Sequence, residues 1–183
     1  MSPTPARPIR PAAKNGFRGI LNSCTNLLLG LMEQGEPFES AVRYAQSIGI
    51  TETDPSADID GWDAAIKVAA LSTVLMGIPL KPQEIDCQGI REITPQMIGD
   101  AQAEGERWKL ICSARREGER VIGRVAPERV SASSPLYSIQ GTSSYVQFEL
   151  DVLPGLGIVE NNPGPETTAY GLLADLINAV RGM

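Results

Sequence analysis

No histidine occurs among the 183 residues. That absence excludes Ser–His and Cys–His nucleophilic machinery and argues against a zinc site, so no metal is expected. A basic surplus is missing too: 16 Lys and Arg stand against 22 Asp and Glu, a net charge of −6. A chain of that sign has little with which to neutralise phosphates, and nucleic acid is not expected as a partner. No apolar run reaches the ~20 residues of a membrane span. No charged segment followed by an apolar one opens the chain, so secretion by that route is not expected. Cysteine is scarce and odd in number (Cys24, Cys87, Cys112), which reads as reduced thiols in a cytoplasmic protein. No internal repeat and no low-complexity tract is visible.

What is present fits one globular domain, with 42% hydrophobic and 21% charged residues. Residues 1–18 carry Pro3, Pro5, Pro8 and Pro11 among Arg7, Arg10, Lys14 and Arg18. That density of proline suits neither helix nor central strand and predicts a loose arm over 1–18, with the folded domain over 19–183. A strand over Phe17–Ser23 should run into an apolar helix from Cys24 to Met32. An amphipathic helix follows from Pro37 to Ile48, with Gly49 at its C′ position. After Gly61 a helix-forming run continues to Gly77, with Asp60 placed as N-cap. Residues 78–92 read as a polar connection, and Ile90–Ile93 as extended. Thr94 and Pro95 signal the N-cap and first position of a helix reaching about Glu104. Trp108–Ala114 and Arg120–Ala126 form a hairpin pattern that Pro127 should end. Strands are expected at Tyr137–Gly141, Ser144–Leu150 and Ile158–Glu160, then a helix over Ala169–Val180 capped by Thr167 or Thr168. Strands gathered late, with helices before and after, predict an α+β fold: a mixed sheet with helices mainly on one face.

The densest chemistry lies between Ala45 and Val68. Glu52, Asp58, Asp63 and Lys67 fall within sixteen residues, broken by Asp54-Pro55 and Asp60-Gly61. Asp63 and Lys67 are four apart and share one helix face; on a solvated helix such a pair contributes only about 0.2–0.5 kcal/mol. Yet the helix is apolar around most of its circumference, from Ala64 through Leu75, which predicts burial and a lysine facing a pocket or partner. Glu52 and Asp58 come from the loop that feeds it, so a polar substrate pocket can form here.

Ala45, Gly49, Ile50, Thr51, Asp54, Pro55, Asp58, Gly61, Asp63 and Lys67 resemble the signature of homoserine dehydrogenase, with every spacing kept. The resemblance extends along nearly the whole chain. Gly19-Ile20-Leu21-Asn22-Ser23 followed by Thr25-Asn26, Ser134-Pro135-Leu136, Gln140-Gly141, and Pro163-Gly164 ahead of Thr168-Ala169 are similar to further landmarks of that family. Cys24 stands where members usually carry Thr, and Asn162 where the first glycine of a Gly-Ala-Gly would stand.

The resemblance implies the family's catalytic domain and the NAD(P)-dependent interconversion of L-homoserine and L-aspartate 4-semialdehyde, a step of the aspartate pathway towards threonine and methionine. It implies Lys67 as general acid with Asp63 aligning it, Glu52 on the substrate α-ammonium, Asp58 ordering the loop or a water, and Ser23 and Cys24 on the turn at the substrate. Gly164 would approach the cofactor, NADP or NAD, and a homodimer would form through the sheet. No G-x-G-x-x-G follows a strand; Gly155-Leu156-Gly157 is nearest, with Glu160 at the last glycine position. The chain is therefore expected to match the catalytic domain without its Rossmann domain, to bind NADPH weakly or not at all alone, and to need a separate nucleotide-binding chain. The other reading left open is a non-catalytic dimerisation or regulatory module, or a truncated fragment of the same family.

Overall fold

Two long strands, β3 (Glu106–Glu117) and β4 (Arg120–Ser131), form a hairpin around Gly118, whose φ of +63 suits the tight turn. The chain's first described strand, β1 (Lys14–Ile20), inserts between β3 and β5 (Ser144–Leu150), antiparallel to both. β6 (Leu156–Glu160) closes one edge, and the two-residue β2 (Asp86–Cys87) lies parallel to β4 at the other. The order is β2-β4-β3-β1-β5-β6. This computed structural model describes residues 14–153 and 155–182.

Period-2 alternation decides which face is covered. Phe17, Leu110, Cys112, Ala114, Val121 and Val125 all belong to one core cluster. There they meet α1 (Ser23–Glu33), α4 (Trp62–Met76) and α5 (Pro95–Ala103), while α2 (Phe38–Ser47) packs on α1. The other face holds a small cluster of Ile20, Ile111 and Val130 beneath Leu136 and Ile139. Beside it runs an ion-pair row, Arg18–Glu128 at 2.7 Å and Arg124–Glu128 at 3.0 Å. The fold is thus α+β, with helices mainly on one face. Among the described residues no helix is long and apolar enough to cross a membrane.

Several local expectations shift. The strand starts at Lys14, so residues 14–18 of the expected arm are sheet, and Phe17 is buried between Ala114 and Phe148. Residues 1–13 of that arm lie outside the described residues. Pro127 does not end β4 but pairs with Leu110. The Val125 carbonyl points towards β2, accepting from Gln88 N at 2.8 Å. Pro127, two residues on, turns its nitrogen to the same edge beyond the end of β2, where no ladder bond is lost.

Tyr137–Gly141 is not a strand. Pro135 opens a 3₁₀ turn, Pro135–Ser138, capped by the Ser134 hydroxyl, which accepts from Leu136 N. Ile90–Ile93 is a turn that docks on the chain's middle through Ile90 N to the Ile59 carbonyl. Asp60 is no N-cap: Gly61 takes that position at φ +82, and Asp60 pairs with Arg91 at 2.8 Å. α6 (Pro165–Arg181) starts earlier than expected, with Gly164 as its N-cap rather than Thr167 or Thr168. Thr94 caps α5 as expected, accepting from Met97 N. α4 is buried along one face, at Ala64, Ala65, Val68, Ala69, Ser72 and Met76; Ile66 is 45% and Val74 78% exposed, so the helix is half-covered rather than enclosed.

Candidate active site

β1 ends in a corner, Leu21-Asn22, that turns the chain into α1. Asn22 is the N-cap, its Oδ1 accepting from Thr25 N at 2.7 Å and Thr25 Oγ1 at 2.9 Å. Opposite this corner lies a second one, between the short α3 (Ser56–Ile59) and α4. Gly61 makes that turn at φ +82, and a Cβ there would press on Cys87 Sγ at 3.1 Å. Gly89 lies so close to the Ile59 carbonyl and Asp60 that a side chain has no room. These close approaches hold the α3–α4 corner against the sheet end.

The two corners bring the candidate residues together. Asn22 Nδ2 donates to Asp58 Oδ1 at 2.7 Å and to Asp63 Oδ2 at 2.9 Å. Thr51 Oγ1 donates to the other oxygen of Asp58 at 2.6 Å. Lys67 Nζ pairs with Asp63 Oδ2 at 2.8 Å and donates to the Leu21 carbonyl at 3.1 Å. The loop bearing Glu52 is tied to α2 by Gln46 Nε2, which donates to the carbonyls of Glu52 and Thr53 at 3.3 and 3.1 Å.

Between the corners lies an open cavity of ≈ 530 Å³. Ser23, Cys24, Glu52, Asp58, Asp63 and Lys67 all line it, and Gly164, at the start of α6, closes its rim. Glu52 is the informative member, because no local spacing obliges it to share a hollow with Lys67. Asp54 lines the cavity too, so four carboxylates face one ammonium. That excess of negative charge suits a ligand carrying its own ammonium group. The Cys24 thiol is pushed up to about 12, by burial first and then by the charge of Asp58. It stays protonated at neutral pH and is no nucleophile.

Three contributors stand in the sequence only as landmarks, with no site role expected of them. Asn22 and Thr51 hold Asp58, and an Asn just before an apolar helix is a readable cap signal. Asn162 takes φ +43 and is captured by Ser143, its N donating to Ser143 Oγ at 3.0 Å and its Oδ1 accepting at 3.2 Å. The position demands a left-handed backbone, which Asn tolerates better than other non-glycine residues. It sets Pro163-Gly164 against the cavity. A second hollow of ≈ 420 Å³ adjoins the first, sharing Ser23, Lys67, Pro163 and Thr168, and adds Leu21, Ala70 and Leu71. Lys67 therefore stands between a charged hollow and a more apolar one.

Sheet and cavity define an α+β domain with an open, carboxylate-rich cavity where β1–α1 meets α3–α4. The family model "Homoserine dehydrogenase" matches residues 11–177. The chain is 36% identical over 164 residues to an NAD(+)-dependent homoserine dehydrogenase of Pseudomonas canavaninivorans, covering 89% of this chain and 47% of that protein. It is 38% identical over 163 residues to a homoserine dehydrogenase of Methanocaldococcus jannaschii, covering 88% and 47%. The crystal structure of a homoserine dehydrogenase from Thiobacillus denitrificans superposes with TM-score 0.83 at 30% identity, covering 93% of this chain and 40% of that one. A hyperthermophilic archaeal homoserine dehydrogenase in complex with NADPH gives 0.73 at 27% identity, covering 94% and 49%. The chain belongs to the homoserine dehydrogenase family. It spans about half the length of the curated relatives it matches.

Proposed function

We propose that this chain is the catalytic, substrate-binding part of a homoserine dehydrogenase, interconverting L-homoserine and L-aspartate 4-semialdehyde. The observation that carries the reading is the convergence of Glu52 with the Asp63–Lys67 pair on one hollow. Glu52 receives the substrate α-ammonium. The first-turn amides of α1, at Ser23 and Cys24, face its carboxylate. Asp58 is tied by Asn22 and Thr51 and orders the loop beneath the substrate.

Lys67 uses two of its three ammonium protons, on Asp63 and the Leu21 carbonyl. The third is available to the substrate oxygen. In the reducing direction Lys67 delivers that proton as the aldehyde oxygen becomes an alkoxide; in the oxidising direction its amine takes the hydroxyl proton. A nicotinamide cofactor, NADP or NAD, supplies or accepts the hydride when bound. The adjoining hollow suits its ring, since Leu21, Ala70 and Leu71 offer an apolar wall and Lys67 opens onto both spaces. Pro163 and Thr168 border both hollows, with Gly164 beside them on the first.

A nucleotide-binding domain is the partner this arrangement calls for. α6 carries Gly164 at its start and leaves Leu172, Leu173, Leu176 and Val180 exposed, a stripe on which such a domain can rest. The open sheet face, with its Arg18–Glu128 and Arg124–Glu128 pairs, is the proposed homodimer contact. The test supplies the nucleotide-binding domain of a relative together with NADPH and aspartate 4-semialdehyde. NADPH oxidation is expected, and Lys67→Ala should lower it about 10²–10⁴-fold. Undiminished turnover in Lys67→Ala, or no turnover in the parent, sinks the assignment.

A further inference from the structure

Asn22 is 3% exposed and uses both ends of its amide. Oδ1 closes the first turn of α1 on Thr25. Nδ2 gives one hydrogen to Asp58 on α3 and the other to Asp63 on α4. Asp63 Oδ2 takes both this bond and the 2.8 Å contact from Lys67. Two donors on one oxygen leave Asp63 Oδ1 without a donor among the described residues. The neighbouring Leu21 carbonyl holds a second proton of Lys67. One backbone corner therefore fixes every group of the proton-transfer pair.

We infer that Asn22 is a positioning residue whose amide holds Asp58 and Asp63 together against their mutual repulsion, aiming the free oxygen of Asp63 and the third donor of Lys67 at the substrate. The clamp rests on geometry alone; its chemical consequence rests on the dehydrogenase reading above. Capping by itself does not require an amide. Asn, Asp and Ser all accept from the first-turn N–H groups with similar efficiency. Only the amide also offers two donors on the far side.

That difference separates clamp from cap. Asn22→Asp keeps the shape and the cap but replaces two donors with a third carboxylate. Around it stand Asp58 from α3, Asp63 and Lys67 from α4, and Glu52 across the hollow from the loop after α2. Crowded carboxyls retain a proton to higher pH in the folded state than in the unfolded one. A carboxyl raised in this way contributes stability at low pH that is lost as pH rises. The Tm of Asn22→Asp should therefore stay near the parent's at about pH 5 and fall behind it progressively towards about pH 8. Folding near pH 5 with unfolding at neutrality is the same result in stronger form. Asn22→Ser keeps the cap, adds no charge, and should lose stability evenly across pH.

With a nucleotide-binding domain supplied, kcat of Asn22→Ser should fall roughly 10–100-fold while KM moves less, as misplaced catalytic groups behave. If both variants track the parent in Tm at every pH and in kcat, Asn22 is a cap only and the inference is overturned. An inactive parent overturns the dehydrogenase reading instead, and the pH comparison still decides the clamp.

Discussion

Raising the pH through the titration range of Lys109 should stabilise this fold before it destabilises it. Lys109 sits on β3 at 1% exposure, its Nζ donating to Asn26 Oδ1 at 2.8 Å and to the Ile139 carbonyl at 2.6 Å. Burial pushes its pKa down from 10.5 to about 8, against the upward pull of Glu33. Between those values the unfolded chain binds a proton that the folded chain has released, so stability rises with pH. The whole interval is worth on the order of 3 kcal/mol at about 1.4 kcal/mol per unit. Only its lower part is visible. Burial holds the Cys24 and Cys112 thiols up at about 12, while their ordinary value is 9.0. Above about pH 9 both are ionised only when unfolded, and two thiols outweigh one amine. With the onset of thiol ionisation in the unfolded chain subtracted, the expected curve climbs by about 0.5 kcal/mol between roughly pH 7.5 and 9, then descends. Urea unfolding at fixed pH steps, followed by tryptophan fluorescence, measures it, with constant m-values as the check on two-state behaviour. Lys109→Met strips Asn26 and Ile139 of a donor, costs about 1–3 kcal/mol at neutral pH, and should lack the rise. A parent curve that is flat or falling over that window and parallel to that of Lys109→Met refutes the reasoning.

Two further outcomes follow from the site. Glu52→Gln should raise KM for the amino-acid substrate about 10–100-fold, the equivalent of a charge-assisted hydrogen bond, with little change in kcat; an unchanged KM in steady-state kinetics removes Glu52 from the ammonium. Gly89→Ala forces a Cβ into the Ile59 carbonyl and Asp60, so thermal unfolding should show a loss of about 1–3 kcal/mol and the α3–α4 corner should shift; a loss under about 0.5 kcal/mol would mean the corner is not braced there.

The legible parts of the fold are those where one period dominates. β4 alternates from Arg120 to Val125, and α2 and α5 carry terminal signals at Pro37, Gly49 and Thr94 that the folded chain uses. Errors gather where two local rules compete. At Asp60-Gly61 the capping preference of Asp points one way and the φ freedom of Gly the other. The backbone resolves it for Gly, because the turn takes φ +82, and a Cβ there would also press on Cys87 Sγ at 3.1 Å. Pro127 reads as a strand breaker, but that rule holds only where the missing N–H would face a neighbour. Lys14–Arg18 resembles the proline-rich arm before it and becomes central strand through pairings with Arg115 and Gln147, more than ninety residues away.

The candidate site was legible in its charges and opaque in its supports. Glu52, Asp58, Asp63 and Lys67 stand out because charged groups beside an apolar helix are locally anomalous. Their supports are neutral amides and hydroxyls, which look like any turn. The same is true of the polar thread beneath them. Lys109 holds Asn26, whose Nδ2 donates to the Gly141 and Ser143 carbonyls at 2.9 and 3.3 Å. The Ser143 hydroxyl then holds Asn162, and Asn162 precedes Pro163, which both hollows share, and Gly164, which lines the first. A single buried ammonium thus secures the turn on which the rim depends, through residues 83, 30 and 19 positions apart. Separations of that size leave no periodic trace. They also explain why so polar a group is kept in the core: an apolar residue at 109 would leave Asn26 and Ile139 unpaired, and the rim would lose its anchor before the sheet lost its packing.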